Sequence, residues 1–180
     1  TLNNFPTSGM WVDHYTGLPF AFNNTLQFDG VNDFVSFNSG INLTSAFTFS
    51  TWLKPSVFSL QALFANSSYS QGYIAIMDST TLRLNAGGVS SNFTVPTMVA
   101  GEWCHVAITR DASNNVKLYF NGVATQTYVN AGTASIDSIS NYNSGYFRTS
   151  AAIDEVGILT GTDATLTQIA SLYNSGAGEN

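Results

Sequence analysis

The stretch Leu26–Phe37 constrains the fold more than any other part of this chain. Apolar and polar residues alternate from Leu26 to Asp29, which is the period of a half-buried β-strand. Asp29-Gly30 is a turn signal, because glycine tolerates positive φ and aspartate bonds its own backbone. Apolar residues then resume at Phe34. Residues 24–37 therefore predict a strand, a tight turn and a second strand.

The same alternation recurs in short segments along the rest of the chain. In Ser45–Lys54 the apolar residues share one face, and Pro55 ends the strand because proline cannot donate to a ladder. Asn121-Gly122 lies between two alternating segments and is a strong β-hairpin signal. Further strands are predicted at Leu60–Ala65, Gly72–Met77, Thr81–Asn85, Asn92–Val95, Glu102–Arg110, Gly145–Arg148 and Ala151–Leu159, with residues 130–144 predicted as loop.

One helix is predicted near the C-terminus. Thr165 and Gln168 fit a capping box, and Leu166, Ile169 and Leu172 form an apolar stripe, with Gly176 as the stop signal. About a dozen short strands and one late helix predict an all-β fold, a two-sheet antiparallel sandwich. We expect residues 24–176 to form this domain, residues 177–180 a tail, and residues 1–23 an extended arm whose five aromatic side chains lie against an apolar surface.

Composition excludes several classes of function. The net charge is −6 and the pI is near 4.4, which opposes nucleic-acid binding because that requires a basic surface. Only 9% of residues are charged, and the chain holds two histidines, so little material is available for acid–base chemistry. No apolar run is long enough to span a bilayer. The single cysteine, Cys104, excludes an internal disulfide and is expected to be a small buried residue.

The order of motifs resembles the laminin G-like branch of the concanavalin A-like lectin and glucanase jelly rolls. The resemblance covers residues 24–176 and is carried by Leu26–Val35, Phe47–Pro55, Glu102–Asp111, Lys117–Val123, Ile153–Val156 and Leu172–Gly176. It implies two stacked antiparallel sheets with one concave outer face. It also implies glycan or protein binding, and often one calcium ion.

An enzymatic function is not predicted. Glucanases of this fold place paired carboxylates two and four or five residues apart on one strand. That pattern is absent here, and the adjacent Asp154 and Glu155 would point to opposite faces of a strand. We expect His105, which lies within a strand, to be structural.

A candidate ligand surface follows from the alternation of side chains. Trp52, Arg83, Asn85 and Tyr119, with Trp103 and His105, lie opposite the core residues of their strands. If those strands share one sheet, they form an aromatic and polar trough suited to a saccharide. Alternatively, the N-terminal arm or loops cover that face, and the two tryptophans serve packing.

A calcium site is predicted at Asp29 and Asp154. Val156 and Ile158 are expected to face the core, which would place Asp154 on the same side, and first and last strands are commonly neighbours in jelly rolls. Two carboxylates and turn carbonyls suit Ca²⁺, a cation that takes six to eight oxygen ligands. Alternatively, both aspartates accept backbone N–H bonds in turns.

Two classes of function remain open at this point. The first is a non-catalytic lectin-like module of a secreted, cell-surface or phage protein, recognising a glycan or a surface protein. The second is a structural subunit of a virion, fibre or surface assembly, in which residues 1–23 contact a neighbouring chain and form a homo-oligomer. Both classes predict an extracellular, cell-surface or virion-surface location.

Overall fold

The computed structural model describes residues 2–3, 25–68 and 72–174. The described elements are the strands β1 (Leu2–Asn3), β2 (Leu26–Asp29), β3 (Phe34–Leu43), β4 (Phe47–Pro55), β5 (Gln61–Ala65), β6 (Tyr73–Asp78), β7 (Thr81–Ala86), β8 (Val89–Thr94), β9 (Cys104–Arg110), β10 (Asn115–Phe120), β11 (Val123–Val129), β12 (Ala134–Ile139) and β13 (Ser150–Thr160), a short 3₁₀ helix (Asn143–Gly145), and the helix α1 (Leu166–Tyr173).

The strands form two antiparallel sheets packed face to face. One sheet has seven strands in the order β1-β3-β12-β5-β6-β7-β8, and the other has six in the order β11-β10-β9-β4-β13-β2. Consecutive strands cross between the sheets at several points, so this is a sandwich and not a meander. The predicted fold class, an all-β jelly-roll sandwich with one short C-terminal helix, is confirmed.

Alternation along each strand builds the core between the sheets. On β4, Phe47, Phe49 and Leu53 point inward, and each is at most 1% exposed. The ring of Phe49 meets the edge of Phe64 from the opposite sheet, with ring centroids 4.7 Å apart. The core is therefore a continuous apolar layer contributed by both sheets.

Arg110 is a buried cation that connects strand ends. It is 1% exposed, and its guanidinium lies 5.1 Å from the ring centre of Phe47. It donates hydrogen bonds to the backbone carbonyls of Leu43, Ser45 and Gly132. Burial lowers the pKa of Arg110 from its usual value. This residue satisfies three backbone carbonyls near strand ends, so its function is structural.

Two local predictions were wrong, and a third was correct only in part. The strand, turn and strand predicted for residues 24–37 are present as β2 and β3, but the two strands belong to different sheets and do not pair with each other. Residues 130–144 are not all loop, because β12 is an interior strand paired with both β3 and β5. Residues 145–148 are not a strand; the chain makes a 3₁₀ turn there, and one isolated bridge joins Tyr142 and Tyr146.

The last strand also differs from its prediction, because it contains a β-bulge. Asp154 is opposite Trp52 and Gly157 is opposite Ser50, so β13 has one extra residue between these pairs. Glu155 takes φ +47° at this point. The bulge changes the phase of the alternation: Val156 is 40% exposed, and Asp154 shares the outer face with Trp52 instead of facing the core.

The predicted hairpin and helix start are confirmed. Asn121 and Gly122 take φ of +48° and +75° and join β10 to β11. The capping box of Thr165 and Gln168 is formed in both directions. The helix ends at Asn174, which adopts the left-handed conformation that caps helices, so the stop falls before Gly176.

The predicted N-terminal arm and C-terminal tail lie outside the described residues, except for Leu2–Asn3, which pairs with β3. Within residues 25–68 and 72–174, no helix has both the length and the apolar character needed to cross a membrane.

Candidate ligand-binding face

The predicted ligand residues lie on two different sheets. Trp52 and Tyr119 belong to β4 and β10 of the six-stranded sheet, whereas Arg83 and Asn85 belong to β7 of the seven-stranded sheet. Each points away from the core, as the alternation predicts. Outer faces of stacked sheets look in opposite directions, so the single trough expected from the sequence is not formed.

The outer face of the six-stranded sheet is covered by α1. Ile169 of the helix is fully buried against Ala107 and Tyr119. Trp52 stacks on Tyr173, with ring centroids 5.8 Å apart and an interplanar angle of 25°. Trp52 is 3% and Tyr119 5% exposed. These two aromatic rings pack against the helix and do not offer an open surface to a saccharide.

His105 lies in the same covered layer. It is 1% exposed, and its Nε2 is 2.8 Å from Ser50 Oγ, while Nδ1 has no hydrogen-bond partner. Burial lowers the pKa of His105 to about 4. A nucleophile–histidine pair needs a third group to orient the imidazole through Nδ1. This pair has none, and the neutral, buried ring fits the structural role expected for it.

Cys104, which precedes His105 on β9, is also structural. Cys104 is buried, and its thiol donates to the carbonyl of Leu53 at 3.4 Å. Burial raises the pKa of Cys104 to about 12, so the thiol stays protonated and unreactive. Lys54 places its ammonium 6.0 Å from the ring centre of Trp103.

The outer face of the seven-stranded sheet carries a cluster of aromatic and polar side chains, which we call the aromatic face. Its aromatic members are Tyr73, Tyr142 and Phe147. Tyr73 and Tyr142 meet edge to face at 4.9 Å, and Tyr142 stacks on Phe147 at 5.8 Å with an interplanar angle of 26°. The rings line a shallow pocket whose floor is formed by Ala62 and Ala75.

Arg83 stands beside these rings. Its Nε donates to Asn92 Oδ1 at 2.7 Å, and its Nη1 donates to the hydroxyl of Tyr73 at 3.3 Å. Next to it, Asn85 donates from Nδ2 to Ser90 Oγ at 2.9 Å. Both of these partners of Arg83 are neutral groups, and one of them is the hydroxyl of a ring of the aromatic face. This combination offers both stacking and directional hydrogen bonds.

Two rings of the aromatic face, Tyr142 and Phe147, come from the segment between β12 and β13, which long-range contacts hold in place. The amide of Ala62 donates to the carbonyl of Phe147, and Arg148 Nη1 donates to the carbonyl of Ser140. Ser140 Oγ in turn accepts from the amide of Thr149. Sequence alternation identified Arg83 and Asn85 but missed Tyr142 and Phe147, because a loop has no periodicity that shows where its side chains point.

The two predicted calcium ligands do not lie together. β2 and β13 are neighbours as expected, but Asp29 is opposite Ser150, four residues from Asp154 along the strand. At about 3.3 Å per residue, that separation is roughly 13 Å, too far for one ion to bind both carboxylates. The described residues contain no cluster of three or more histidine, cysteine or acidic side chains suited to a metal.

The carboxylates of Asp29, Asp33 and Asp154 each accept a hydrogen bond from a backbone amide. Asp29 Oδ1 accepts from the amide of Val31 at 2.7 Å, and this bond lowers the pKa of Asp29. Asp33 Oδ2 accepts from the amide of Asp29, while burial raises the pKa of Asp33. Asp154 Oδ1 accepts from the amide of Glu155 at 2.8 Å. This geometry matches the turn and strand-end roles that were the alternative to calcium, whereas calcium binding itself stays a prediction.

Comparison with known proteins identifies the class. The model of the concanavalin A-like lectin/glucanases superfamily matches residues 29–168. The chain belongs to this superfamily, and the resemblance inferred from its motifs is confirmed. No curated protein sequence matches it.

Solved structures share the fold at low sequence identity. A heptameric SAP-like pentraxin from Limulus polyphemus is 15% identical with a TM-score of 0.65, covering 82% of this chain and 80% of the pentraxin. The binding domain of botulinum neurotoxin serotype D is 17% identical with a TM-score of 0.63, covering 85% of this chain and 42% of that chain. Botulinum neurotoxin type C, whose cell entry depends on two ganglioside molecules, is 18% identical with a TM-score of 0.57, covering 86% and 43%. This chain therefore spans less than half of the toxin chains that it matches.

Proposed function

We propose that this chain is a non-catalytic, lectin-like module that binds a saccharide on the aromatic face. The observation that carries the proposal is the position of Arg83, whose charged guanidinium bonds Tyr73 beside the rings of Tyr142 and Phe147. Ring faces stack on the C–H surface of a sugar, while the guanidinium and amides bond its hydroxyl groups. Asn85 belongs to the same polar border.

Two further points support a saccharide as the ligand. On the other sheet α1 covers Trp52 and Tyr119, whereas on the aromatic face Phe147 is 43% exposed and the adjoining Tyr146 is 65% exposed. The matching type C neurotoxin interacts with a glycolipid, a ganglioside. An extracellular, cell-surface or virion-surface location is part of this proposal.

A glycan array followed by two substitutions tests the site. We expect Arg83→Ala to weaken binding by about tenfold to a hundredfold, because one charged hydrogen bond contributes about 1.5–3 kcal/mol. Tyr73→Ala should weaken it comparably through loss of the ring, whereas Tyr73→Phe keeps the ring and should lose less. Lys117→Ala, on the outer face of the other sheet, removes the same charge and is the matched control.

The outcomes separate the site from the activity. Equal losses in Arg83→Ala and Lys117→Ala would mean that net charge, not the aromatic face, controls binding. Binding that survives both Arg83→Ala and Tyr73→Ala would move the site to another surface. An array without any bound glycan would contradict the lectin-like function itself.

A further inference from the structure

β11 is an edge strand with an unusually open and uncharged surface. It pairs with β10 alone among the described strands, and six of its seven residues are exposed, with Val123 at 68% and Val129 at 75%. It contains no charged residue and no proline, the devices by which edge strands usually avoid pairing with other chains.

The neighbouring edge of the other sheet is protected differently. At β8, the amide of Thr94 donates to Gln126 Oε1. A side chain thus occupies a backbone group that a second strand would need. Within the described part of the chain, no side chain bonds the outward backbone groups of β11.

The hydrogen-bond phase of the hairpin shows which groups of β11 point outward. On β10, Asn121 and the odd-numbered residues bond toward β9, as the bond from Asn121 N to His105 O shows. Even-numbered residues bond toward β11, as the bond from Asn130 N to Asn114 O shows. Ala124 lies opposite Tyr119 and Thr127 lies opposite Lys117, and these two odd-numbered residues of β10 bond toward β9. The amides and carbonyls of Ala124 and Thr127 therefore point away from β10 and are available to another strand.

These outward groups are self-complementary. We propose that β11 pairs antiparallel with β11 of a second copy across a two-fold axis. In the proposed register, Ala124 of one copy lies opposite Thr127 of the second copy, and the two form a hydrogen-bonded pair. The two-fold axis repeats this pair between Thr127 of the first copy and Ala124 of the second. Val123 then lies opposite Tyr128, and both occupy the inner face, because their partners on β10 are the core residues Phe120 and Val116.

The β-bulge of β11 falls on the axis of this arrangement. The register against β10 shifts between Lys117 and Tyr119, which places the extra residue at Thr125–Gln126. A bulge interrupts a ladder locally, and here one hydrogen-bonded pair lies on each side of the bulge. The bulge also turns Gln126 toward Thr94 of the other sheet, so it is already used within one copy.

The pairing has a consequence for the proposed saccharide site. A two-fold axis through an antiparallel strand pair is perpendicular to the sheet, so the aromatic faces of both copies look to the same side. Two sites on one side can engage one surface together and gain avidity. This consequence rests on the proposed function, whereas the dimer itself does not.

Sedimentation velocity of the full chain over a range of concentrations tests the dimer. The interface is one short strand per copy, below the area of most stable complexes, so we expect a dimer whose fraction rises with concentration. A124K/T127K would place like charges opposite each other twice and should give a monomer. A124E/T127K would place opposite charges there and should restore the dimer.

A control and a fold measurement make the test decisive. V31K/V99K adds two lysines at exposed positions outside β11 and should dimerise like the original chain. Equal melting temperatures of the two β11 variants would exclude unfolding as the cause of any difference. A chain that is monomeric at every concentration, or a dimer that persists in A124K/T127K, would overturn the proposal. Neither result depends on glycan binding.

Discussion

His105 should make the stability of this domain depend on pH between about 6.5 and about 4. Its imidazole is 1% exposed and contacts Ser50, Trp52 and Tyr173 in the layer under α1. None of these groups is charged, and burial lowers the pKa of His105 from 6.5 to about 4. The folded state therefore keeps the ring neutral at a pH where the unfolded chain protonates it.

The sign and size of the effect follow from linkage. Because the folded pKa lies below the unfolded one, the unfolded state binds more protons between the two values, and stability falls as the pH falls. The contribution is present above pH 6.5 and is lost progressively toward pH 4. The whole difference corresponds to about 3.4 kcal/mol at 1.36 kcal/mol per pKa unit, of which about 1.8 kcal/mol is lost between pH 7 and pH 5.

Denaturant unfolding at several pH values measures this effect directly. His105→Gln keeps a polar group that can bond Ser50 but does not titrate. We expect the free energy of unfolding of the original chain to fall between pH 7 and pH 5 by about 1.8 kcal/mol more than that of the variant. All other ionisable groups are the same in both proteins, so their contributions cancel in the comparison. Equal pH dependence in the two proteins would refute the buried, neutral state of His105.

Three further predictions follow from other contacts. Ile169→Ala should lower the free energy of unfolding by about 2–5 kcal/mol through a cavity and expose Trp52, which a red shift of its fluorescence would report. Arg110→Met should destabilise by several kcal/mol in urea unfolding, since it leaves buried carbonyls unpaired, about 1–3 kcal/mol each. If calcium raises the melting temperature, only one of Asp29→Asn and Asp154→Asn should remove that response, since one ion cannot reach both; loss in both variants would contradict the register.

Local patterns sufficed to predict the elements whose signals are contained in a few adjacent residues. Three such elements are the alternating strand β4, the Asn121-Gly122 turn and the Thr165–Gln168 capping box. In each, a few adjacent residues indicate the conformation. The turn and the capping box form local hydrogen bonds. β4 pairs with the distant strands β9 and β13, but its apolar alternation is visible in its own sequence. For this reason the fold class and the family resemblance could be obtained from the sequence alone.

Elements that depend on distant partners could not be predicted in this way. β12 contains two serines and Asp137 and resembles a loop, yet it is an interior strand because β3 and β5 bond it on both sides. Asp137 accepts from the amide and hydroxyl of Ser67, 70 residues away in the chain. The bulge in β13 likewise has no local signal, so the direction of Asp154 was predicted wrongly.

The assignment of the ligand face shows the same limit in another form. A sheet face that receives a helix and a sheet face that receives a sugar both need aromatic rings and hydrogen-bonding groups opposite the core side. Trp52 and Tyr119 meet this description under α1, and Arg83 meets it on the aromatic face. The alternation of apolar and polar residues predicts only that these three side chains point away from the core, and it predicts this equally for all three. What separates them is the position of Ile169, because the helix that this residue anchors covers Trp52 and Tyr119 and does not cover Arg83, which lies on the face proposed for the saccharide.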